Sequence, residues 1–207
     1  MMGKVDLNKK LKENSLLKTA FEFFTTKGFS KTSITDIVEK AGVAKGTFYL
    51  YFKDKYDIRN KLVSHKSSQL FKAAVSELGD ELDRLPFEDK LIRIIDNIIN
   101  QLNENQSLLT FISKNLSWGI FKNAITTPVT DDDVDFAEIY QKMLDESPTG
   151  FRDPEIMLFM IIELVSSTIY SAILYKEPCS LAKLKPYLYN SIRLIIAQHE
   201  KKPRELT

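Results

Sequence analysis

Two short helical patterns meet at Ala41-Gly42-Val43, and that junction constrains the fold more than any other feature of the chain. Before it, Ile34, Ile37, Val38 and Ala41 recur at i, i+3, i+4 and i+7, one face of an amphipathic helix. After it, Phe48 and Phe52 stand four residues apart on one face of a second helix. Lys45, Thr47, Tyr49 and Leu50 or Tyr51 are left on its other faces. A glycine turn between two such helices holds the second proud of its domain, where its exposed side can enter a DNA major groove.

The flanks fit the same picture. Leu17, Ala20, Phe21 and Phe24 form the stripe of a preceding helix, and Gly28 is placed for a left-handed stop with Phe29 as its apolar contact. Ser33 and Asp36 have the spacing of a capping box, with Asp in place of the usual Glu. Asp54 is placed to cap a long fourth helix, with Asp57 in the first turn favoured by the helix dipole.

Thr35-Asp36-Ile37-Val38, then Ala41-Gly42-Val43-Ala44-Lys45-Gly46-Thr47-Phe48-Tyr49, then Tyr51-Phe52-Lys53-Asp54-Lys55, resembles the DNA-binding signature of TetR-type bacterial transcriptional regulators. The resemblance implies an all-α protein. A three-helix helix-turn-helix DNA-binding domain is expected over residues 1–55, and a larger helical effector-binding and dimerisation domain over 56–207. It also implies a homodimer formed mainly by the last two helices. Carried over position by position, it implies DNA contacts from Ala44, Lys45, Gly46, Thr47, Tyr49 and Tyr51. Lys45 can reach guanine O6/N7 or a phosphate, Gly46 permits close approach, and the tyrosine hydroxyls suit phosphates. Ser33 and Thr35 can help the start of their helix hold a phosphate, and Lys55 is a further phosphate candidate. Leu50 adds no hydrogen-bonding capacity to this surface.

Charge is distributed in keeping with that reading. The net charge is +1, but the first sixty residues hold twelve Lys or Arg against seven Asp or Glu, leaving an acidic remainder. A basic head on an acidic body is expected if only the head meets phosphates. Lys4, Lys9, Lys10 and Lys12 read either as an arm toward DNA or as a frayed tail. The N-terminus lacks the apolar core of a signal peptide, and residues 156–175, the most apolar stretch, are interrupted by Glu163 and several Ser and Thr. A lone Cys179 fits a reducing compartment, so a cytoplasmic protein without membrane segment, metal or cofactor is expected.

The body reads as helices throughout. Pro86 suits a first helical position, with Glu88 and Asp89 following and Leu91, Ile94, Ile95, Ile98 and Leu102 as the stripe. Asp131-Asp132-Asp133 reads as a helix start rather than a metal site. From Asp153 to Tyr175 the helix is apolar almost all round and must be covered all round. One face is therefore expected on a partner subunit, with Ile169, Ile173, Leu188, Ile192 and Ile195 in the dimer interface. Phe111, Trp118, Phe121, Tyr140, Met143, Phe159, Met160 and Tyr170 are candidates to line an effector pocket.

The expected function is a sequence-specific transcriptional regulator, a repressor released from a palindromic double-stranded DNA operator by a small, largely apolar effector. The alternatives are an activator or a regulator controlled by a protein partner. No catalytic motif, phosphate loop or metal motif supports an enzyme, and steep salt dependence of binding to one DNA sequence would separate the regulator from both an enzyme and a helical interaction module without DNA binding.

Overall fold

The computed structural model describes residues 4–115, residue 119 and residues 136–201, with side chains from residue 7 onward. Trp118, Phe121, the Thr127-Pro128 break, Asp131-Asp132-Asp133 and Val134 lie outside the described residues. The protein is all-helical. In chain order the helices are α1 (Lys4–Thr26), α2 (Ile34–Ala41), α3 (Lys45–Tyr51), α4 (Lys55–Leu78), α5 (Phe87–Glu104), α6 (Gln106–Asn115), α7 (Phe136–Asp145), α8 (Pro154–Leu174) and α9 (Leu181–His199). A short 3-10 helix, Gly79–Arg84, joins α4 to α5.

Local chemistry sets the boundaries. Lys4, Lys9, Lys10 and Lys12 lie within α1, which runs unbroken to Thr26 because no glycine or proline stands between Lys4 and Gly28. Gly28 takes φ +85°, and its amide returns to the Phe23 carbonyl at 3.1 Å. α4 ends at Gly79, also with positive φ. Pro86 is the N-cap of α5, one position ahead of its expected place.

α4 is the central strut. It packs on α1 of the head and on α5 and α6 of the body. Ile58, Leu62 and Val63 near its start and Leu70, Phe71 and Ala74 near its end belong to one continuous core. A second tie comes from α6, where Phe111 meets Phe21 edge-on at 5.3 Å and stacks on Phe24 at 6.4 Å. Both partners lie on α1, so the three-helix head and the body share apolar packing at two places.

α8 and α9 form an antiparallel hairpin whose open end is closed by the Phe151–Glu200 bridge and by the Arg152 amide on the His199 carbonyl at 2.7 Å. By length and composition alone α8 could cross a membrane, but its inner stripe of Met157, Leu158, Ile161, Ile169 and Ile173 sits in the core. This corrects four of the five residues expected in the dimer face. Ile169, Ile173, Leu188 and Ile192 are buried inside their own chain, and Ile195 is half-buried. The outward stripe is instead Ile156, Phe159 and Met160 on α8, with Tyr187 and Leu194 exposed on α9. A helix apolar on every side carries no periodic signal to say which stripe faces in.

Polar contacts hold α9 against α5. Lys185 reaches Asp96 at 2.5 Å and Asn100 at 2.6 Å, and Tyr189 donates its hydroxyl to the same Asp96 carboxylate. One turn on, Arg193 pairs with Glu88 and, at 3.0 Å, with Asp89. Burial pushes the Asp96 carboxyl up, but the hydrogen bonds from Lys185 and Tyr189 and the charge of Lys185 outweigh it, leaving the group below the usual carboxylate range. A depressed carboxyl contributes stability above its unfolded value, and that contribution fades as pH falls through the folded value. Asp96→Asn is expected to cost about 1 kcal/mol at neutral pH, at the low end for a charged hydrogen bond because the group is partly exposed. Urea denaturation should show the gap between wild type and variant closing as pH falls below about 4 and through the lowered folded value, where the wild-type carboxylate becomes protonated. A gap independent of pH would mean that the charge of Asp96 does not matter.

Candidate nucleic-acid interface

α2 starts from a complete capping box. The Ser33 hydroxyl accepts from the Asp36 amide at 3.0 Å, and the Asp36 carboxylate accepts from the Ser33 amide at 2.8 Å and from its hydroxyl at 2.7 Å. The backbone hydrogen bond from Ser33, then its hydroxyl, holds the Asp36 carboxyl below its ordinary range. α2 stops at Gly42, whose φ of +69° lets the Val43 amide turn back to the Val38 carbonyl at 3.0 Å. Ser15 of α1 donates to the Ala41 carbonyl at 3.2 Å and ties this end to the scaffold.

The turn delivers α3 with Ala44 as its N-cap. Phe48 and Phe52 are fully buried beneath it, their rings 5.4 Å apart. That anchoring leaves Ala44, Lys45, Gly46, Tyr49 and Leu50 exposed and Thr47 half-buried. A Cβ built on Gly46 would meet nothing within 4 Å, so the packing of this chain does not itself require glycine there. Tyr49 is 52% exposed, with its ring edge-on to Phe48. Leu50, at 80%, is the most exposed large apolar side chain among the described residues of the head.

The remaining candidates are more engaged. Tyr51 is half-buried, and its hydroxyl donates to the Lys9 carbonyl at 3.2 Å. The Lys55 ammonium donates to the carbonyls of Phe29 and Thr32, both at 2.9 Å, and lies over the Phe29 ring. It therefore closes the loop before α2, while still lining, with Ser33, a shallow notch beside the exposed Thr35. Lys61 was not anticipated as part of this arrangement. It caps the C-terminal end of α3 by donating to the Tyr51 carbonyl at 2.8 Å, a favourable place for a cation. Its spacing from Tyr51 carried no local signal, because the contact is made across two helices.

A cavity of about 150 Å³ lies in the body between α4, α5, α6, α7 and α8. Its walls include Phe71, Ile98, Ile112, Ile161 and Val165. Of the side chains expected to line it, Trp118 and Phe121 lie outside the described residues, and the described ones do not line it. Phe111 packs on the head; Tyr140 is buried, with its hydroxyl on the Pro154 carbonyl at 3.0 Å; Met143 is core; Phe159 and Met160 face outward; Tyr170 packs on Tyr175. Burial pushes the Tyr140 phenol well up, so it is held neutral. Aliphatic side chains at helical spacing look the same in sequence whether they fill a core or line a void, which is why Ile98, Ile161 and Val165 were not singled out. Among the described residues no group of three metal-ligating side chains comes together.

The family model described as "Bacterial regulatory proteins, tetR family" matches residues 16–62, the span from α1 to the first half of α4. The helix-turn-helix-type transcriptional regulator YvdT of Bacillus subtilis is 44% identical over 63 residues, 28% of this chain and 32% of that protein. YdgC of the same organism, also a helix-turn-helix-type transcriptional regulator, is 27% identical over 177 residues, 81% of this chain and 85% of that one. Among solved structures, the transcriptional regulator FadR from Bacillus subtilis, in complex with stearoyl-CoA, shares the fold with a TM-score of 0.61 at 19% identity. The superposition covers 89% of this chain and 97% of FadR.

The geometry assigns Phe48 to anchoring rather than contact. Phe48→Ala is expected to destabilise the head by about 3–5 kcal/mol. Hydrogen exchange should then show α2 and α3 opening together while the amides of α5 and α9 stay protected. Unchanged protection of α3 would mean that the ring does not hold the helix.

Proposed function

The chain belongs to the TetR family of helix-turn-helix transcriptional regulators, DNA-binding proteins and not enzymes, and from that premise we propose a homodimeric repressor released from a palindromic operator by a small apolar effector. The observation that carries the reading is the outward face of α3. Lys45, Gly46, Tyr49 and Leu50 are exposed above two buried phenylalanines, and the Lys45 ammonium has no partner among the described residues. In this reading residues 1–55 are the DNA-binding head and 56–207 the effector-binding and dimerisation body. Ala44, Lys45, Gly46, Thr47 and Tyr49 meet the groove, with Ser33, Thr35, Tyr51 and Lys55 toward the phosphates. The protein acts in the cytoplasm, where the operator is.

The effector site is the body cavity. α4 lines it with Leu70 and Phe71 and begins at the head; α6 lines it with Ile112, whose neighbour Phe111 packs on Phe21 and Phe24. A guest that shifts either helix shifts the head. The affinities for effector and operator are then reciprocally coupled. FadR holds stearoyl-CoA, but the cavity here is small for a long acyl chain, so the effector of this chain is argued from its own walls.

The dimer uses the outward stripe of α8 and α9. Ile156, Phe159, Met160, Tyr187 and Leu194 are large apolar side chains on the two helices through which the family resemblance implies dimerisation. Phe159→Asp would set an unpaired carboxylate in a two-fold interface twice. Sedimentation should give twice the 23.8 kDa chain mass for the wild type and a folded monomer for Phe159→Asp. Ile173→Asp, by contrast, should unfold the chain, because Ile173 is buried within it. A wild-type monomer at micromolar concentration would remove the dimer from the reading.

Binding is tested by selecting duplexes from a random pool, which should yield a two-fold symmetric consensus. Lys45→Ala is expected to cost about 1–3 kcal/mol on that consensus if the lysine reads a base. Gly46→Ala should leave the head as stable as the wild type or stabilise it by about 1 kcal/mol, since alanine is the better helix former. It should nevertheless weaken DNA binding, because the new methyl group stands on the outer surface. A pool that yields no preferred sequence would overturn the proposed function.

A further inference from the structure

The size and chemistry of the body cavity narrow what can occupy it. Its volume is about 150 Å³. A cavity of roughly that size lined by Leu, Ile and Phe stays dry and accepts guests as large as benzene. Drug-sized ligands need roughly 300–1,000 Å³. Among the described lining residues there is no Lys, Arg, Asp, Glu or His. An ion entering would lose its hydration and find no opposite charge, which disfavours carboxylates and ammonium groups alike.

The walls are not uniformly apolar. Ser67 on α4 and Ser113 on α6 line the cavity, both half-buried, and neither is hydrogen-bonded to another described residue. Ser166 also lines it, but its hydroxyl donates to the Glu163 carbonyl at 3.3 Å. A hydroxyl in an apolar wall gains from a guest that offers it an oxygen, since its own helix does not engage it. Ser67 and Ser113 stand on the two helices that also touch the head. A guest bonded to either one therefore pulls directly on a helix that reaches α1.

We propose that the effector is an uncharged molecule of about the size of benzene, carrying one hydrogen-bonding oxygen that Ser67 or Ser113 engages. This rests on the preceding reading of the cavity as the effector site, and deepens it by fixing the charge, size and polarity of the ligand.

The test uses the full-length protein at neutral pH and calorimetric titration with p-cresol, 4-methylbenzoate, 4-methylbenzylamine and stearoyl-CoA. The first three share a ring and a methyl group and differ mainly in charge. p-Cresol is expected to bind at one site per chain, at least about tenfold more tightly than either ion. Ser67→Ala or Ser113→Ala should weaken it by roughly three- to tenfold. Ile161→Trp, which fills the cavity, should abolish binding; if that variant does not fold, the two serine variants decide. Binding of either ion as tightly as p-cresol overturns the proposal, as does binding of stearoyl-CoA alone, or p-cresol affinity unchanged in both serine variants. A parallel titration follows the protein on its selected duplex. If p-cresol occupies the cavity as described but never alters DNA affinity, the ligand class stands and the release mechanism falls.

Discussion

Helix α4 has to satisfy two sets of neighbours with one rigid rod. Its start is fixed by the Asp54 cap, which accepts from the amides of Tyr56 and Asp57, and by Ile58, Leu62 and Val63 packed beneath the head. Its far half supplies Leu70 and Phe71 to the cavity wall and Ala74 to the core. Protein interiors are too densely packed for one end of such a helix to move alone. A rearrangement of the body around Leu70 and Phe71 is therefore felt along α4 toward Lys55 to Val63, where Lys61 holds the end of α3. Phe111 adds a second and shorter route, since its ring rests on α1 while Ile112 beside it faces the cavity.

Most of the head was legible in the sequence because its determinants are local. The Ser33–Asp36 box, the Gly42 turn, the Phe48–Phe52 pair and the Asp54 cap each lie within a few residues of the element they fix. The phase of α3, and so the identity of its outward residues, followed from two phenylalanines. What the sequence hid was long-range. Lys55 and Lys61 reach carbonyls on other elements, and Tyr51 reaches back to α1. No spacing rule announces such contacts.

In the body the balance reversed. Helix positions and their ends were readable from Pro86, Gly79, Pro154 and Ser180, but the roles of faces were not. Ile169 and Ile173 fill the core while Phe159 and Met160 look outward, and all four are simply large and apolar in the sequence. The expected pocket aromatics among the described residues lie elsewhere for a related reason. Aromatic rings contribute strongly where packing is tight, and Phe111 and Tyr140 each pack against another ring, Phe21 and Phe87 respectively, away from the void. The void is bordered mainly by branched aliphatic side chains from several helices, together with Phe71, Phe136 and a few serines.

The internal engagement of the head's lysines has a thermodynamic consequence. Affinity for DNA depends on salt through the counterions that protein cations displace from the phosphates, and each contributing cation steepens that dependence. Lys40 is held by Glu22, Lys27 lies 3.9 Å from Asp36, and Lys55 and Lys61 are engaged by backbone oxygens. Lys27 and Lys40 count toward the basic composition of the head, yet their charge is answered by carboxylates within the fold, while Lys55 and, just beyond the head, Lys61 have their ammonium groups directed at backbone oxygens. The ionic-strength dependence of this protein on DNA should therefore be shallower than its lysine content suggests. It should be set by the exposed lysines that the fold leaves to solvent, Lys45 among them.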